Sequence, residues 1–264
     1  GLVSNDIDKA GPERAVWAAL LTPQGKYVAD FFVLGDAEGL LLEVRTEDVA
    51  SLTKKLTLHK LRAKVEIGDA KDDFVVYAAF GEMAKIEIPP GAKRYADPRL
   101  PAAGRRYLVP EATRPAFEQS LTNGLTSSDQ YERHRIALGL PAAPFDLIAD
   151  KSILLEAGFD ELGGVDWDKG CYMGQELTAR TKYRGLIKKR LVPIRIEGPA
   201  PVPETRIFDG ESEVGEMRSA AGDTGIALLK LDAIKSGKPL HGGDATLTPV
   251  KPGWMVLPED NPAE

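Results

Sequence analysis

Cysteine is almost absent: the 264 residues contain one, Cys171. A single thiol excludes an internal disulfide, and with no secretory leader visible at Gly1 the expected compartment is a reducing, intracellular one. Histidine is scarce as well. His59, His134 and His241 lie far apart, and no His/Cys spacing suggests zinc. An iron–sulfur cluster held by this chain alone would lack its usual four cysteine ligands, so a cluster here needs ligands from a partner. A papain-like nucleophile needs a histidine base, and no local signature supplies one. Long apolar runs are missing too; none approaches the roughly 20 residues that span a bilayer, so no membrane partner is expected. Nor is there a global excess of positive charge. The net charge of −6 does not favour non-specific nucleic-acid binding.

The composition that is present is that of an ordinary globular protein, with 43% hydrophobic and 28% charged residues. It supplies a sizeable core without staples, and the length suits two domains. The first part alternates β-rich runs with turns. Val16–Leu21 and Lys26–Leu34 flank Thr22-Pro23-Gln24-Gly25, a hairpin turn with Pro second and Gly fourth. Further strands are expected over Gly39–Arg45, Arg62–Ile67, Asp73–Phe80, Ala84–Ile88 and Arg105–Val109, and Pro89 to Gly104 reads as a loop. Thr46 is expected to cap a helix carrying Val49, Leu52 and Leu56 on one face. Asp129 with Glu132 resembles a capping box opening a helix from Gln130 to Leu138. Ile153–Leu155 reads as a short strand, and a helix is expected from Gln175 to about Lys182. After Lys188 come five short strands, Leu191–Ile196, Thr205–Asp209, Glu213–Ser219, Thr224–Leu229 and Ala245–Val250, the pattern of a small β-barrel or sandwich. The fold class is therefore α+β, with a boundary near 187: an N-terminal domain over 1–187 and a barrel domain over 188–264.

The chemistry concentrates in Lys169-Gly170-Cys171-Tyr172-Met173-Gly174-Gln175-Glu176. A thiol in a glycine-marked turn beside a cation is a candidate reactive or metal-binding group, and nearby cations favour the thiolate. Seven basic residues fall between Lys169 and Arg190, opposed only by Glu176. They form either a solvated face or an anion site beside Cys171. Glu156, after an apolar run, is either a surface carboxylate or the acceptor of two parallel hydrogen bonds from an amidine-like edge, such as that of a pterin.

Lys169 to Glu176, continued by Leu177-Thr178-Ala179-Arg180, closely resembles the signature of the YgfZ family, GcvT-like folate-binding proteins of iron–sulfur cluster assembly with mitochondrial relatives. Leu21 to Lys26, Asp97-Pro98-Arg99, Arg135 through Pro141 and Lys189-Arg190-Leu191 look like family landmarks, so the resemblance covers nearly the whole chain. It implies a folate-binding region of mixed or antiparallel sheets followed by a C-terminal barrel. It implies that Cys171 is the functional thiol, with Lys169, Gly170, Tyr172, Gly174, Gln175, Glu176 and Arg180 in its motif. Glu156-Ala157-Gly158 resembles the Glu-Ala-Gly of GcvT aminomethyltransferases, whose Glu contacts the pterin. The implied cofactor is tetrahydrofolate, with an iron–sulfur cluster shared transiently with a partner. Implied partners are an A-type carrier protein and [4Fe–4S] client enzymes. The implied location is a bacterial cytoplasm or, as the alternative, a mitochondrial matrix. Two departures stand out. Roughly 20–30 residues of the family's first segment precede Gly1 in a domain of usual size. And where GcvT enzymes carry paired acids, this chain has Ala29-Asp30. The expected role is thus an accessory factor rather than an enzyme, the alternative being a folate-dependent aminomethyltransferase.

Overall fold

The computed structural model describes residues 1–36, 39–81, 86–122 and 124–258. Two compact units divide it: residues 1–4, 19–28 and 127–264, and residues 5–18 with 29–126. The expected hairpin is β1 (Val16–Leu21) and β2 (Tyr27–Gly35), joined to β3 (Leu40–Glu43) in a sheet of order β1–β2–β3. Every residue of β1 is buried. Its turn closes with Gly25 N donating to Thr22 O and Thr22 N to Lys26 O, both at 2.8 Å. Gly25 sits at φ +74°, where glycine alone escapes Cβ strain.

In the second unit, a 3-10 turn over Thr46–Asp48 leads into α1 (Val49–His59). Thr46 does not cap that helix; it lies one turn too early, and only Leu52 of the apolar face is buried. Next come β4 (Phe74–Ala79), β5 (Lys93–Ala96) and β6 (Arg105–Pro110), paired antiparallel in the order β4–β6–β5. Residues 62–67 form no strand; their alternating pattern pairs with no strand among the described residues. The strand expected over 84–88 falls partly outside the described residues, and 86–88 carry no regular structure. The Pro- and Gly-rich stretch before Gly104 holds β5 and a 3-10 turn at Pro101–Ala103 as well as loop. A short helix, α2 (Arg114–Ser120), follows with Pro115 at its start, where a missing N–H costs nothing. Tyr107, Val109 and Phe117 form a small core cluster of this unit.

The first unit is built on α3 (Ser128–Ala137), α4 (Gln175–Tyr183) and a barrel. The expected capping box at α3 does not form: Ser127 holds the cap position, and Glu132 instead pairs with Arg135 at 2.6 Å. The barrel comprises β7 (Lys189–Glu197), β8 (Arg206–Asp209), β9 (Ser212–Ala221), β10 (Thr224–Lys230), β11 (Leu240–Gly242) and β12 (Ala245–Pro249), with α5 (Leu231–Ser236) between β10 and β11. Its closed strand order is β10–β7–β12–β11–β8–β9. Closure leaves no open edge, so short strands suffice. Val192, Ile194, Ile196, Ile207, Met217, Leu229, Leu240 and Leu247 fill the interior. No helix among the described residues is long and apolar enough to cross a membrane.

Candidate functional site

Cys171 is a free, exposed thiol on the loop that feeds α4. The loop is braced at its base. Lys169 Nζ donates to Val3 O at 2.7 Å and lies 5.5 Å from the Tyr172 ring centroid. Val3 is bridged to Leu20. Next to it the fully buried Ser4 donates from Oγ to Gly164 O at 2.6 Å and accepts from Ala19 N at 2.9 Å. The Ser4 carbonyl also accepts from Asp166 N at 3.0 Å. Lys169 is thus committed to holding the strap at residues 3–4 against the loop.

The far side of the loop is set by two glycines. Gly174 begins α4 at φ +80°, and a Cβ there would lie 2.7 Å from Thr22 O and 2.9 Å from Gly25 Cα. A Cβ on Gly25 would lie 2.7 Å from Leu177 Cβ and 3.0 Å from Gly174 O. The Thr22–Gly25 turn and the cysteine loop therefore meet backbone to backbone, which links two sequence landmarks 150 residues apart. Gly170 is different: nothing lies within 4 Å of a Cβ there. Tyr172 is buried, and burial pushes its phenol pKa up, partly offset by the adjacent Thr178. Thr178 donates to Gly174 O at 3.3 Å, and the Tyr172 hydroxyl has no partner at hydrogen-bond geometry. Gln175 is half-buried at the first position of α4, while the exposed Glu176 pairs with Arg180 one turn on.

Glu156 lies on a 3-10 turn, Leu154–Ala157, rather than after a strand. Ile153, Leu154 and Leu155 are apolar as a strand would be, but Gly158 at φ +78° closes the segment into a turn. A Cβ on Gly158 would sit 2.8 Å from the Trp254 ring, so the Glu-Ala-Gly sequence makes room for the end of the chain. Trp254 Nε1 in turn donates to Leu138 O at 2.7 Å. The half-buried Glu156 carboxylate makes no hydrogen bond or ion pair among the described residues. It lines a cavity of about 210 Å³ whose other walls are the apolar Ile148, Ile153, Leu191 and Leu228 and the polar Lys151, Ser152, Glu204, Glu216 and Arg218. Burial raises the Glu156 pKa, and the charges of Lys189, Lys26, Arg218 and Arg190 oppose the rise. Cys171 does not line this cavity, although α4 packs against the turn that carries Glu156.

Asp146, on the cavity wall, is already engaged by the protein through both carboxylate oxygens. It is buried and takes Arg135 Nη1 at 2.7 Å, Ser219 Oγ at 2.7 Å and Ala142 N at 3.0 Å. Arg135 is thereby the buried cation of a network joining α3 to β9. Sequence reasoning missed this network and missed Arg218. The available signal was an arginine with a glutamate two residues before it inside the otherwise small or apolar run Gly215–Ala221 of β9.

The basic run from Lys169 to Arg190 separates in three dimensions. Arg190 is buried, with its guanidinium 2.8 Å from Glu161. Lys182 pairs with Asp160 at 3.0 Å and lies 4.1 Å from the Trp167 ring centroid. Lys189 faces Glu156. Asp160 and Glu161, outside the run, thus oppose charges that Glu176 alone could not. Arg184 and Lys188 remain exposed without ion pairs among the described residues. In the second unit, Asp30 accepts from Trp17 Nε1 at 2.8 Å. Asp97 and Arg99 form a buried bidentate pair at 2.7 and 2.9 Å, with the guanidinium over the Trp17 and Phe32 rings. Asp-Pro-Arg is thus a packing landmark. No group of three or more His, Cys, Asp or Glu residues among the described ones could hold a metal ion.

Comparison with known proteins adds four findings. Residues 188–257 match the family model of the CAF17 C-terminal beta-barrel domain. The human protein named iron-sulfur cluster assembly factor IBA57, mitochondrial, is 31% identical over 287 residues, covering 96% of this chain and 78% of that one. An IBA57 homolog of Neurospora crassa is 31% identical over 222 residues; this chain spans 50% of its length. Among solved structures, glycine cleavage system aminomethyltransferase T from Bartonella henselae superposes with a TM-score of 0.71 at 12% identity, covering 95% of this chain and 78% of that one. The likeness shows a shared fold: an aminomethyltransferase-type α+β region with a C-terminal barrel.

Proposed function

The chain belongs to the IBA57 family of iron–sulfur cluster assembly factors, and from that premise we propose that it assists assembly or repair of [4Fe–4S] proteins through Cys171. The observation that carries this reading is the free, exposed thiol on a loop braced by Lys169, Ser4, Gly25 and Gly174. A braced loop presents a thiol to another protein at little ordering cost. The thiolate supplies one ligand position, and a cluster as cargo takes the remaining ligands from the partner that carries it. An A-type carrier and the [4Fe–4S] client enzymes are the proposed partners, and Arg184 and Lys188 would suit an acidic face. The relatives' names say mitochondrial, which favours the mitochondrial matrix over the bacterial cytoplasm for this chain. The test is maturation of a [4Fe–4S] enzyme with wild type or Cys171→Ser, and equal activity recovered with both would sink the thiol's role.

Reduced folate is the proposed ligand of the Glu156 cavity. Glu156 is an unpaired carboxylate in a cavity of mixed apolar and polar lining, suited to accept two hydrogen bonds from the 2-amino and ring N–H groups of a pterin. At about 210 Å³ the cavity is smaller than the roughly 300 Å³ of a drug-sized site. It takes the ring and leaves the glutamate tail outside, toward the cations. What folate contributes when bound is one-carbon chemistry; the chain's own residues orient the ring and shield it.

A second reading, aminomethyl transfer to tetrahydrofolate, is favoured by the fold. Against it stands Ala29, buried at the position where the aminomethyltransferases carry an acid, and Asp30, which spends an oxygen on Trp17. Assaying the purified chain for methylenetetrahydrofolate from an aminomethyl donor separates the two; turnover would establish the enzyme.

A further inference from the structure

The Glu156 cavity contains a second unsatisfied group. Arg218, on β9, has a side chain only 8% exposed. Its Nη2 donates to Glu216 Oε1 at 2.6 Å, but its Nε is buried with no hydrogen-bond partner. Arg218 lines the same cavity as Glu156, and its positive charge acts on that carboxylate. Buried donors are paired in the great majority of cases, and leaving one unpaired is costly. A methionine or leucine would fill the space without that cost, so an unmet donor on a cavity wall implies an acceptor that arrives from outside. The cavity therefore brings together the unpaired Glu156 carboxylate and an arginine with an unmet Nε donor, with Ile148, Ile153, Leu191 and Leu228 as its apolar wall and Lys151, Ser152, Glu204 and Glu216 among its polar lining.

We propose that Arg218 is a specificity-determining residue of this cavity, donating from Nε to the 4-oxo oxygen of a ring whose 2-amino and adjacent N–H groups are held by Glu156. The inference rests on the folate reading and deepens it, because it states which pterins the cavity takes. A 2-amino-4-oxo ring meets both groups. A 2,4-diamino ring puts an amino donor against the Arg218 donor, leaving both unpaired. Glu156 alone would give the opposite order, since a 2,4-diamino ring is more basic and its protonated form makes a charge-assisted pair with a carboxylate. The direction of the preference thus separates the action of Arg218 from that of Glu156.

The experiment is anaerobic calorimetry on the full chain with tetrahydrofolate and its 4-amino counterpart, tetrahydroaminopterin. Wild type should prefer tetrahydrofolate by roughly tenfold to a hundredfold, the size of one hydrogen bond to a charged group. Arg218→Met, which keeps the volume and burial, should lose or reverse that preference. Should this variant fail to fold, the wild-type ratio decides alone. Wild type that binds both ligands equally, or favours the diamino ring, overturns the role of Arg218 and leaves the folate reading standing. An Arg218→Met protein that keeps the wild-type ratio overturns it too. Wild type that binds neither ligand overturns the folate reading and this inference with it.

Discussion

Two glycines of one motif should respond very unequally to the same substitution. In Gly174→Ala the new methyl enters at φ +80°, where an L-residue costs about 1–2 kcal/mol. It also lands 2.7 Å from Thr22 O, and the obstacle is backbone in a tight turn that cannot swing away. Overpacking of that kind adds about 1–3 kcal/mol. The sum, about 2–5 kcal/mol, is a large fraction of a typical stability of about 5–15 kcal/mol. It corresponds to a fall in Tm of roughly 4–20 °C for a chain of this size. Gly170→Ala meets nothing within 4 Å and needs no left-handed backbone, so its effect should stay within about 0.5 kcal/mol. Urea unfolding of both variants, read by tryptophan fluorescence, measures the contrast. Equal stabilities, or a Gly170→Ala protein weaker than Gly174→Ala, would refute the back-to-back packing of the cysteine loop on the Thr22–Gly25 turn.

Gly158→Ala combines φ +78° with a contact 2.8 Å from the Trp254 ring, and should lower the urea midpoint by a comparable amount while altering Trp254 fluorescence. Ser219→Ala removes the 2.7 Å hydrogen bond to buried Asp146 and should cost about 1–3 kcal/mol in the same assay. For Glu156, burial raises the pKa, so as pH falls the folded protein takes up this proton before the unfolded chain does. The ligand-free protein is then relatively stabilised as pH drops through the raised value toward the unfolded one, and Glu156→Gln abolishes that trend. Folate binding should move the other way, weakening as the carboxylate is protonated; calorimetry across pH with wild type and Glu156→Gln checks both.

The elements legible in the sequence were those with strong local logic. Thr22-Pro23-Gln24-Gly25 specified its own hairpin, and the spaced apolar runs after Lys188 specified five of the six barrel strands, all but the three-residue Leu240–Gly242, because alternation and turn residues are local signals. What stayed hidden depended on partners. Residues 62–67 alternate like a strand but pair with no strand among the described residues, whereas Lys93–Ala96, in a stretch read as loop, finds β6. Three apolar residues at 153–155 serve a buried 3-10 turn as well as a strand, and Gly158 with Trp254 decides between them. At the site, the motif marked Cys171 and the resemblance marked Glu156. The meeting of Gly25 with Gly174, the opposing acids Asp160 and Glu161, and the unpaired Nε of Arg218 arise only from long-range packing, which periodicity does not encode.

The central claim is that Cys171 acts in iron–sulfur cluster assembly, and its most direct measurement is the rate at which a [4Fe–4S] enzyme regains activity in an anaerobic reconstitution containing an A-type carrier. Because the thiol is exposed, Cys171→Ser should fold with wild-type stability yet fail to accelerate recovery. A Cys171→Ser protein that restores the enzyme as fast as wild type would contradict the account.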